Sequence, residues 1–206
     1  MIVGNGTVIT RDKALPIIRN GAVAMADGVI VEVGTTEEVR AHYPDAEFID
    51  ANGKLIMPGF VNTHHHIYSA LARGLALPNY NPSNFTEILQ QMWFFMDNQL
   101  TANSVQASAA LTYLACIENG VTSIIDHHAS YGETEGSLSL IAKEAKRFGV
   151  RSCLCYEVSD RNGQEAMEKA VAENIRFAKE AAQDPKHLGA MMGLHASFTV
   201  SGDTLD

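Results

Sequence analysis

Hydrophobic and polar positions divide the chain into two stretches with different periodicities. Residues 1–56 contain short apolar runs separated by glycine and other turn residues. Two of these runs flank Asp27-Gly28, a pair that suits a two-residue hairpin because both turn positions need a positive φ. Asn52-Gly53 is a second pair of this kind. The pattern predicts a small antiparallel β module over residues 1–56.

From residue 57 onward, apolar strands alternate with helices. The helix expected over residues 164–183 is amphipathic, because Met167, Val171 and Ile175 recur at helical spacing on one face. Such alternation predicts βαβ units and a parallel sheet, and so an α/β fold. The strands are expected at residues 56–62, 121–126, 150–158 and 188–195, with helices at 137–148 and 164–183 and a long helical stretch after the first strand. Four such strands make a small open sheet or half of a (β/α)₈ barrel, which needs about 250 residues.

Composition narrows the classes of partner. The chain has 206 residues, a formal net charge of -9 and 46% hydrophobic residues, which suits a globular core. The acidic balance argues against a nucleic-acid partner, and no apolar run approaches the roughly 20 residues that cross a membrane. The start lacks the features of a secretory signal, and the three cysteines are an odd number. We therefore expect a cytoplasmic protein with no nucleic-acid or membrane partner.

The strongest chemical signal is a run of histidines. The segment Pro58-Gly59-Phe60-Val61-Asn62-Thr63-His64-His65-His66 carries them at the end of an apolar strand. Side chains alternate along a strand, so His64 and His66 point to one side and His65 to the other. Imidazoles bind zinc, iron, nickel or copper, and unpaired ones at a buried strand end are costly. The spacing favours a metal site over a plain histidine-rich turn.

This segment resembles the first-strand signature of the amidohydrolase superfamily, a Pro-Gly entry followed by His-x-His. Residues 67–74, 120–123 and 193–201 resemble its chlorohydrolase and nucleobase-deaminase branch, and residues 124–130 and 160–162 resemble the SsnA-type aminohydrolases. The resemblance covers the whole chain. It implies that residues 57–206 are the first half, strands 1–4, of a metal-dependent (β/α)₈ TIM-type barrel whose C-terminal half is absent from this chain. Residues 1–56 would be the N-terminal portion of a small β-sandwich.

The resemblance also implies a function. Such a protein hydrolytically deaminates a nitrogen heterocycle (a purine, pyrimidine or triazine-like ring) by a metal-activated water. His64 and His66 match the first-strand metal ligands. Residues 191–196 lack the lysine that bridges two metals in other members, so we expect one divalent metal, zinc or iron. The catalytic residues and remaining ligands are expected C-terminal to residue 206, and we expect the 206-residue chain alone to be inactive.

Two alternatives stay open. One is hydrolysis of a C–Cl or cyclic amide bond by the same superfamily chemistry. The other, if 206 residues is the whole protein, is a non-catalytic metal-binding protein. Open sheet edges and an exposed apolar face would then favour a homo-oligomer or aggregation.

Three further residues are candidate substrate contacts. His195, at the end of the fourth strand, matches a position that contacts substrate in the deaminase branch. Only one of His127 and His128 can face the site, and alternation does not decide which; we take His128 as the candidate. Trp93 lies in the aromatic run 92–96, which is a lid over a ring or part of the core.

Overall fold

The computed structural model describes residues 1–205, which divide into a unit Met1–Gly59 and a second unit that starts at Phe60. Each unit has its own sheet and its own hydrophobic core. Within residues 1–205, no helix is long and apolar enough to cross a membrane.

The first unit is a five-stranded sheet with one short helix. In chain order its elements are β1 (Ile2–Ile9), β2 (Ile17–Ala26), β3 (Val29–Thr35), α1 (Thr36–His42), β4 (Phe48–Asp50) and β5 (Leu55–Ile56). The strands lie in the order β3-β2-β1-β4, and β5 also pairs with β1. Asp27 and Gly28 join β2 to β3 with φ of 52° and 77°, which confirms the predicted hairpin.

The prediction that this unit is antiparallel is wrong for its last two strands. Both β4 and β5 run parallel to β1. Asn52 and Gly53 do adopt positive φ, 49° and 76°, but they connect two segments that continue in the same direction along one partner. A turn pair specifies local backbone conformation, whereas strand direction depends on the partner strand, which the local sequence does not reveal.

The second unit alternates strands and helices around a parallel sheet, which confirms the α/β class. Its elements are β6 (Phe60–His65), a 3₁₀ helix (Ile67–Ala72), α2 (Phe85–Ile88), a π-helical turn (Leu89–Trp93), α3 (Phe94–Asp97), α4 (Ala102–Glu118), β7 (Val121–His128), α5 (Ser137–Phe148), β8 (Arg151–Val158), α6 (Gln164–Ala181), β9 (Leu188–Ala190), β10 (Gly193–Leu194) and α7 (Gly202–Leu205). The strand order is β10-β8-β7-β6, with β9 also paired to β8. All of these pairs are parallel.

Three predicted elements are interrupted. The strand expected over residues 56–62 is split, because Met57–Gly59 separates β5 from β6 and Pro58 has no N–H to donate to a ladder. The strand expected over 188–195 is likewise split into β9 and β10. The long helical stretch after β6 is a series of short helices before α4, which is the first long one.

The helices cover one face of the second sheet. Ile124 and Leu154 face them in a core with Val105, Leu138 and Phe177, each at most 1% exposed. The opposite face is open: Val61 is 57% exposed and lines a shallow pocket with Ile125 and Cys153 of the neighbouring strands. The expectation that β6 is buried is therefore wrong within the described residues. Side chains that alternate away from the helix-covered face point toward this open side, where the candidate site lies.

Candidate metal and substrate site

The candidate site is a pocket of about 530 Å³ at the carboxyl ends of the parallel strands. Carboxyl ends of parallel strands meet at one edge of a sheet, so side chains distant in sequence come together there. Its lining residues are Thr63, His64, His65, His66, Phe85, Ile125, Asp126, His127, Cys155, Met191, Leu194, His195 and Ala196.

His64 and His66 converge in this pocket. Their Nε2 atoms are 3.1 Å apart, and their rings meet edge to face at 85°. His66 Nδ1 lies 2.9 Å from the backbone carbonyl oxygen of His127. A carbonyl only accepts, so Nδ1 carries the proton and Nε2 keeps its lone pair. In metal sites, a hydrogen bond from the other ring nitrogen to a carbonyl fixes the tautomer of the metal-binding histidine in this way.

The separation of the two nitrogens fits shared ligation. Nitrogens bound to one tetrahedral zinc at about 2.0–2.1 Å lie roughly 3.3 Å apart. Residues 1–205 contain no cluster of three His, Cys, Asp or Glu side chains able to hold a metal. Catalytic zinc usually has three protein ligands. The pair therefore fits two positions of such a site.

His65 points to the other side of β6. Its Nδ1 lies 3.5 Å from Oδ1 of Asp126, and the same Oδ1 accepts a hydrogen bond of 2.6 Å from the backbone N–H of Ile67. Asp126 is 1% exposed, and this burial raises the pKa of its carboxyl group. The carboxylate ties the chain that leaves β6 to β7 and so holds the histidine pair in place.

The structure contradicts the choice of His128 over His127. His128 is fully buried on the helix side, where its Nε2 lies 2.8 Å from Ser130 Oγ. His127 lines the pocket, with its ring centroid 5.8 Å from that of His66 and 6.5 Å from that of His195. Burial alternates along β7: Asp126 and His128 lie on its buried face, and His127 lies on its open face.

Trp93 is also not at this pocket. It is partly buried against the helix-side core, edge to face with Tyr68 at 6.3 Å. Trp93 therefore lies away from this pocket, and its contact with substrate stays a prediction. Other aromatic residues of the same region reach the site: Phe85 lines the pocket, and Phe94 packs against His195 with ring centroids 5.9 Å apart.

His195 lines the pocket, as a candidate contact requires. Its Nδ1 lies 2.7 Å from Thr199 Oγ1, and that hydroxyl donates to the carbonyl of Ala196 at 2.8 Å. The hydroxyl oxygen must then accept from His195, so Nδ1 bears the proton. The lone pair of His195 is on Nε2, which lies 3.8 Å from Oε2 of Glu157.

Glu157 and its partners were missed by the sequence reasoning. Oε1 of Glu157 accepts from Arg161 Nε at 2.9 Å. Arg161 also binds Asp97 through two nitrogens, at 3.2 and 2.6 Å. A charged residue within the apolar strand run 153–158 was the available signal for Glu157. Nothing in the sequence pattern links Asp97 to Arg161, since they are separated by 64 positions.

Comparison with known proteins agrees with this geometry. The model of the amidohydrolase family matches residues 55–206, and a short match to a bacterial imidazolonepropionase-like composite domain covers residues 21–46. A 5'-deoxyadenosine deaminase of Methanosarcina mazei is 31% identical over 206 residues, covering 100% of this chain and 44% of the relative. A 5-methylthioadenosine/S-adenosylhomocysteine deaminase of Bacillus cereus is 27% identical, covering 98% and 45%.

Solved structures with the same fold include two enzyme types. The guanine deaminase of E. coli has a TM-score of 0.79 at 19% identity, covering 99% of this chain and 49% of its own. Atrazine chlorohydrolase from Arthrobacter aurescens, crystallised with zinc, has a TM-score of 0.79 at 15% identity, covering 98% and 48%. The chain spans about half the length of the relatives and structures it matches. With the family model matching residues 55–206, this chain belongs to the amidohydrolase family.

Proposed function

We propose that this chain supplies two metal ligands and one wall of the substrate pocket in a metal-dependent aminohydrolase that deaminates a nitrogen heterocycle. The observation that supports it most is the convergence of His64 Nε2 and His66 Nε2 at 3.1 Å, with the proton of His66 held on Nδ1 by the carbonyl of His127. Because Nδ1 carries the proton, His66 Nε2 offers its lone pair beside His64 Nε2, and a lone pair is what a divalent metal needs from an imidazole.

The fold of the two units also supports a proposal for the architecture of the enzyme. We infer that the second unit forms strands 1–4 of a (β/α)₈ barrel and that residues 1–56 belong to a β-sandwich. Support comes from the parallel order of β6, β7, β8 and β10 and from barrel-type relatives aligned over about half their length. The open face beside Val61 is where inward side chains of a barrel would lie.

Each pocket residue has a role in the proposal. A divalent ion, zinc or iron, supplies activation of water when it is bound. His64 and His66 hold that ion through Nε2, and His66 is oriented by the carbonyl of His127. His195 presents Nε2 toward the ligand, and Phe85 contributes an aromatic wall. His127 takes the substrate-facing position that the sequence reasoning gave to His128.

The proposed substrate class follows from the relatives. Two curated relatives act on adenosine derivatives and one solved neighbour on guanine. We therefore propose an uncharged purine base or nucleoside as substrate, with release of ammonia. The acidic character of the chain, with a net charge of -9, favours a neutral ligand over a highly anionic one.

The first test separates metal binding from turnover. Zinc is titrated into the chain by calorimetry, with His64→Ala and His66→Ala as test variants and His42→Ala, an exposed histidine of the first unit, as the matched control. We expect each site variant to lose at least tenfold in zinc affinity and the control to match wild type. Equal affinity in all four proteins would refute the histidine pair as ligands.

The second test addresses the reaction. The intact mass of protein isolated from its native source is measured first. Ammonia release is then measured with adenosine, 5'-deoxyadenosine and guanine as substrates. We expect release that disappears after treatment with a chelator and returns with zinc. Zinc binding without ammonia release from any of these heterocycles would contradict the proposed deaminase activity and favour a metal-binding role.

A second candidate reaction has one specific observation in its favour. The fold matches atrazine chlorohydrolase as closely as it matches guanine deaminase, with equal TM-scores of 0.79. The two reactions differ in leaving group, so chloride release from a chlorinated triazine distinguishes them from ammonia release. Chloride release alone would assign the chain to the second class.

A further inference from the structure

A second polar cluster lies beside the histidine pair. It consists of Glu157, His127 and His195. Oε2 of Glu157 lies 4.0 Å from His127 Nε2 and 3.8 Å from His195 Nε2. Hydrogen bonds between such atoms are about 2.7–3.2 Å long. The three atoms therefore surround a gap without bonding one another.

The carboxylate is fixed with one oxygen free. Glu157 is 3% exposed. Its Oε1 accepts from Arg161 Nε at 2.9 Å and from Ser159 Oγ at 3.3 Å. Arg161 is held in turn by the two oxygens of Asp97. Within the described part of the chain, Oε2 accepts no hydrogen bond, and an ionised carboxylate has only acceptors to offer.

The two imidazoles do not fill this need. The proton of His195 is on Nδ1, so its Nε2 is an acceptor facing the acceptor Oε2. His127 Nε2 is buried and has no hydrogen-bond partner among residues 1–205. Neither ring therefore donates to Oε2 at hydrogen-bond distance, and the pocket side of Glu157 is left without a donor.

A gap between two facing acceptors is unfavourable until a donor enters it. A group with two N–H or O–H hydrogens does fit, since one such group bonds both acceptors. An anionic group does not, because it would face a buried carboxylate.

We propose that Glu157, together with His127 and His195, binds an amino group or hydroxyl pair of an uncharged heterocyclic ligand and makes the pocket reject anionic ones. The cluster is adjacent to the metal pair, since the His127 ring lies 5.8 Å from that of His66 and 6.5 Å from that of His195. A ligand reacting at the pair therefore reaches the cluster with its far edge. This assignment rests on the proposed function for where the reacting ring lies.

The test measures equilibrium binding rather than turnover. The probes are 2-aminopurine riboside, a fluorescent uncharged nucleoside with donors and no leaving group at the reacting position, and its 5'-monophosphate. They are titrated into zinc-loaded wild type, Glu157→Gln and the control Glu144→Gln. Glu144 is 1% exposed and paired with Arg147, as Glu157 is with Arg161, but it lies on α5 outside the pocket. In Glu157→Gln the amide oxygen faces Arg161, so its NH₂ replaces the acceptor Oε2.

We expect wild type and Glu144→Gln to bind the nucleoside at least tenfold more tightly than the monophosphate. In Glu157→Gln the nucleoside affinity should fall at least tenfold and the preference over the monophosphate should shrink, while zinc affinity is unchanged. Unchanged nucleoside binding in Glu157→Gln, equal binding of both probes by wild type, or no binding of the nucleoside by wild type would each overturn the assignment. Failure of the proposed function is read separately, from zinc affinity and ammonia release.

Discussion

At the scale of single residues, the two adjacent histidines of β7 have opposite environments. His127 borders the pocket, while His128 lies in the core against Tyr68 and Tyr156. Ser130 Oγ donates to the carbonyl of Glu133, so it accepts from His128, whose proton is on Nε2. Nδ1 of His128 has no partner within residues 1–205. A second proton therefore has no place in the folded protein.

This environment predicts sensitivity to acid. Burial lowers the pKa of His128 to about 3, whereas the unfolded chain protonates near pH 6.5. Above pH 6.5 the residue adds no penalty. As pH falls from 6.5 toward 3, the unfolded state binds a proton that the folded state excludes, and the free energy of unfolding drops by about 1.4 kcal/mol per pH unit.

His128→Gln keeps a donor for Ser130 and removes the titration. We expect its free energy of unfolding, relative to wild type, to be about 2 kcal/mol more favourable at pH 5 than at pH 7.5. Urea denaturation at both pH values measures this difference, with the exposed His42→Gln as control. A pH-independent difference between His128→Gln and wild type would contradict a neutral, buried His128.

At the scale of elements, helix α5 begins without a side-chain cap of its own. Its first residue is preceded by Gly136 in a left-handed conformation with φ of 80°. Glu173, on α6, supplies the missing acceptors: Oε2 takes the Gly136 N–H at 3.0 Å and Oε1 the Leu138 N–H at 3.1 Å. Arg176 binds both oxygens. A residue 35 positions away thus performs the N-cap role for a neighbouring helix.

Glu173→Ala leaves the N–H groups of Gly136 and Leu138 without their acceptor, while Arg176 keeps its bond to Glu180. We expect a loss of about 2–4 kcal/mol in the free energy of unfolding, because Glu173 is 2% exposed and the two N–H groups are left unpaired. Glu165→Ala is the control; its ion pair with Lys169 is exposed on the same helix and should contribute much less, because solvent screens it. Equal losses in urea denaturation would show that the cap has no special role.

At the scale of the whole molecule, the first unit exposes apolar surface on its sheet. Its core cluster consists of four buried apolar residues: Ile2, Ala22, Ala24 and Val39. A pocket of about 630 Å³ is lined mostly by apolar residues, and Ile30 and Met57 on its rim are 60% and 46% exposed. Isolated exposed apolar residues are ordinary, but a contiguous patch promotes association.

We therefore expect the 206-residue chain to self-associate with rising concentration, measured by size-exclusion chromatography with light scattering. Ile30→Lys places a charge in the patch and should shift the distribution toward monomer. Ile175→Lys, at a 47% exposed position on α6, is the control and should leave it unchanged. A wild-type chain that remains monomeric at all concentrations would contradict an associating patch.

The sequence by itself determined the features that depend on local spacing. Alternation along β6 placed His64 and His66 on one side, and their convergence agrees with it, because side-chain direction in a strand has a period of two. The Asp27-Gly28 hairpin and helices α5 and α6 followed from turn chemistry and helical periodicity in the same way. The histidine motif also carried the family, since it lies in one continuous segment.

Only the tertiary structure decided what depends on distant partners. Alternation along a strand puts His127 and His128 on opposite faces of β7 but does not say which of them faces the pocket. The helices that pack on one face of β7 decide this. The position of Trp93 was decided by packing against the helix-side core, and the direction of β4 by its pairing with β1. Glu157, Arg161 and Asp97 meet because parallel strand ends and the short helix α3 share one edge of the sheet. Contacts of this kind produce no repeating pattern in a single sequence, because a hydrogen bond between residues distant in sequence requires only that the fold brings them close together.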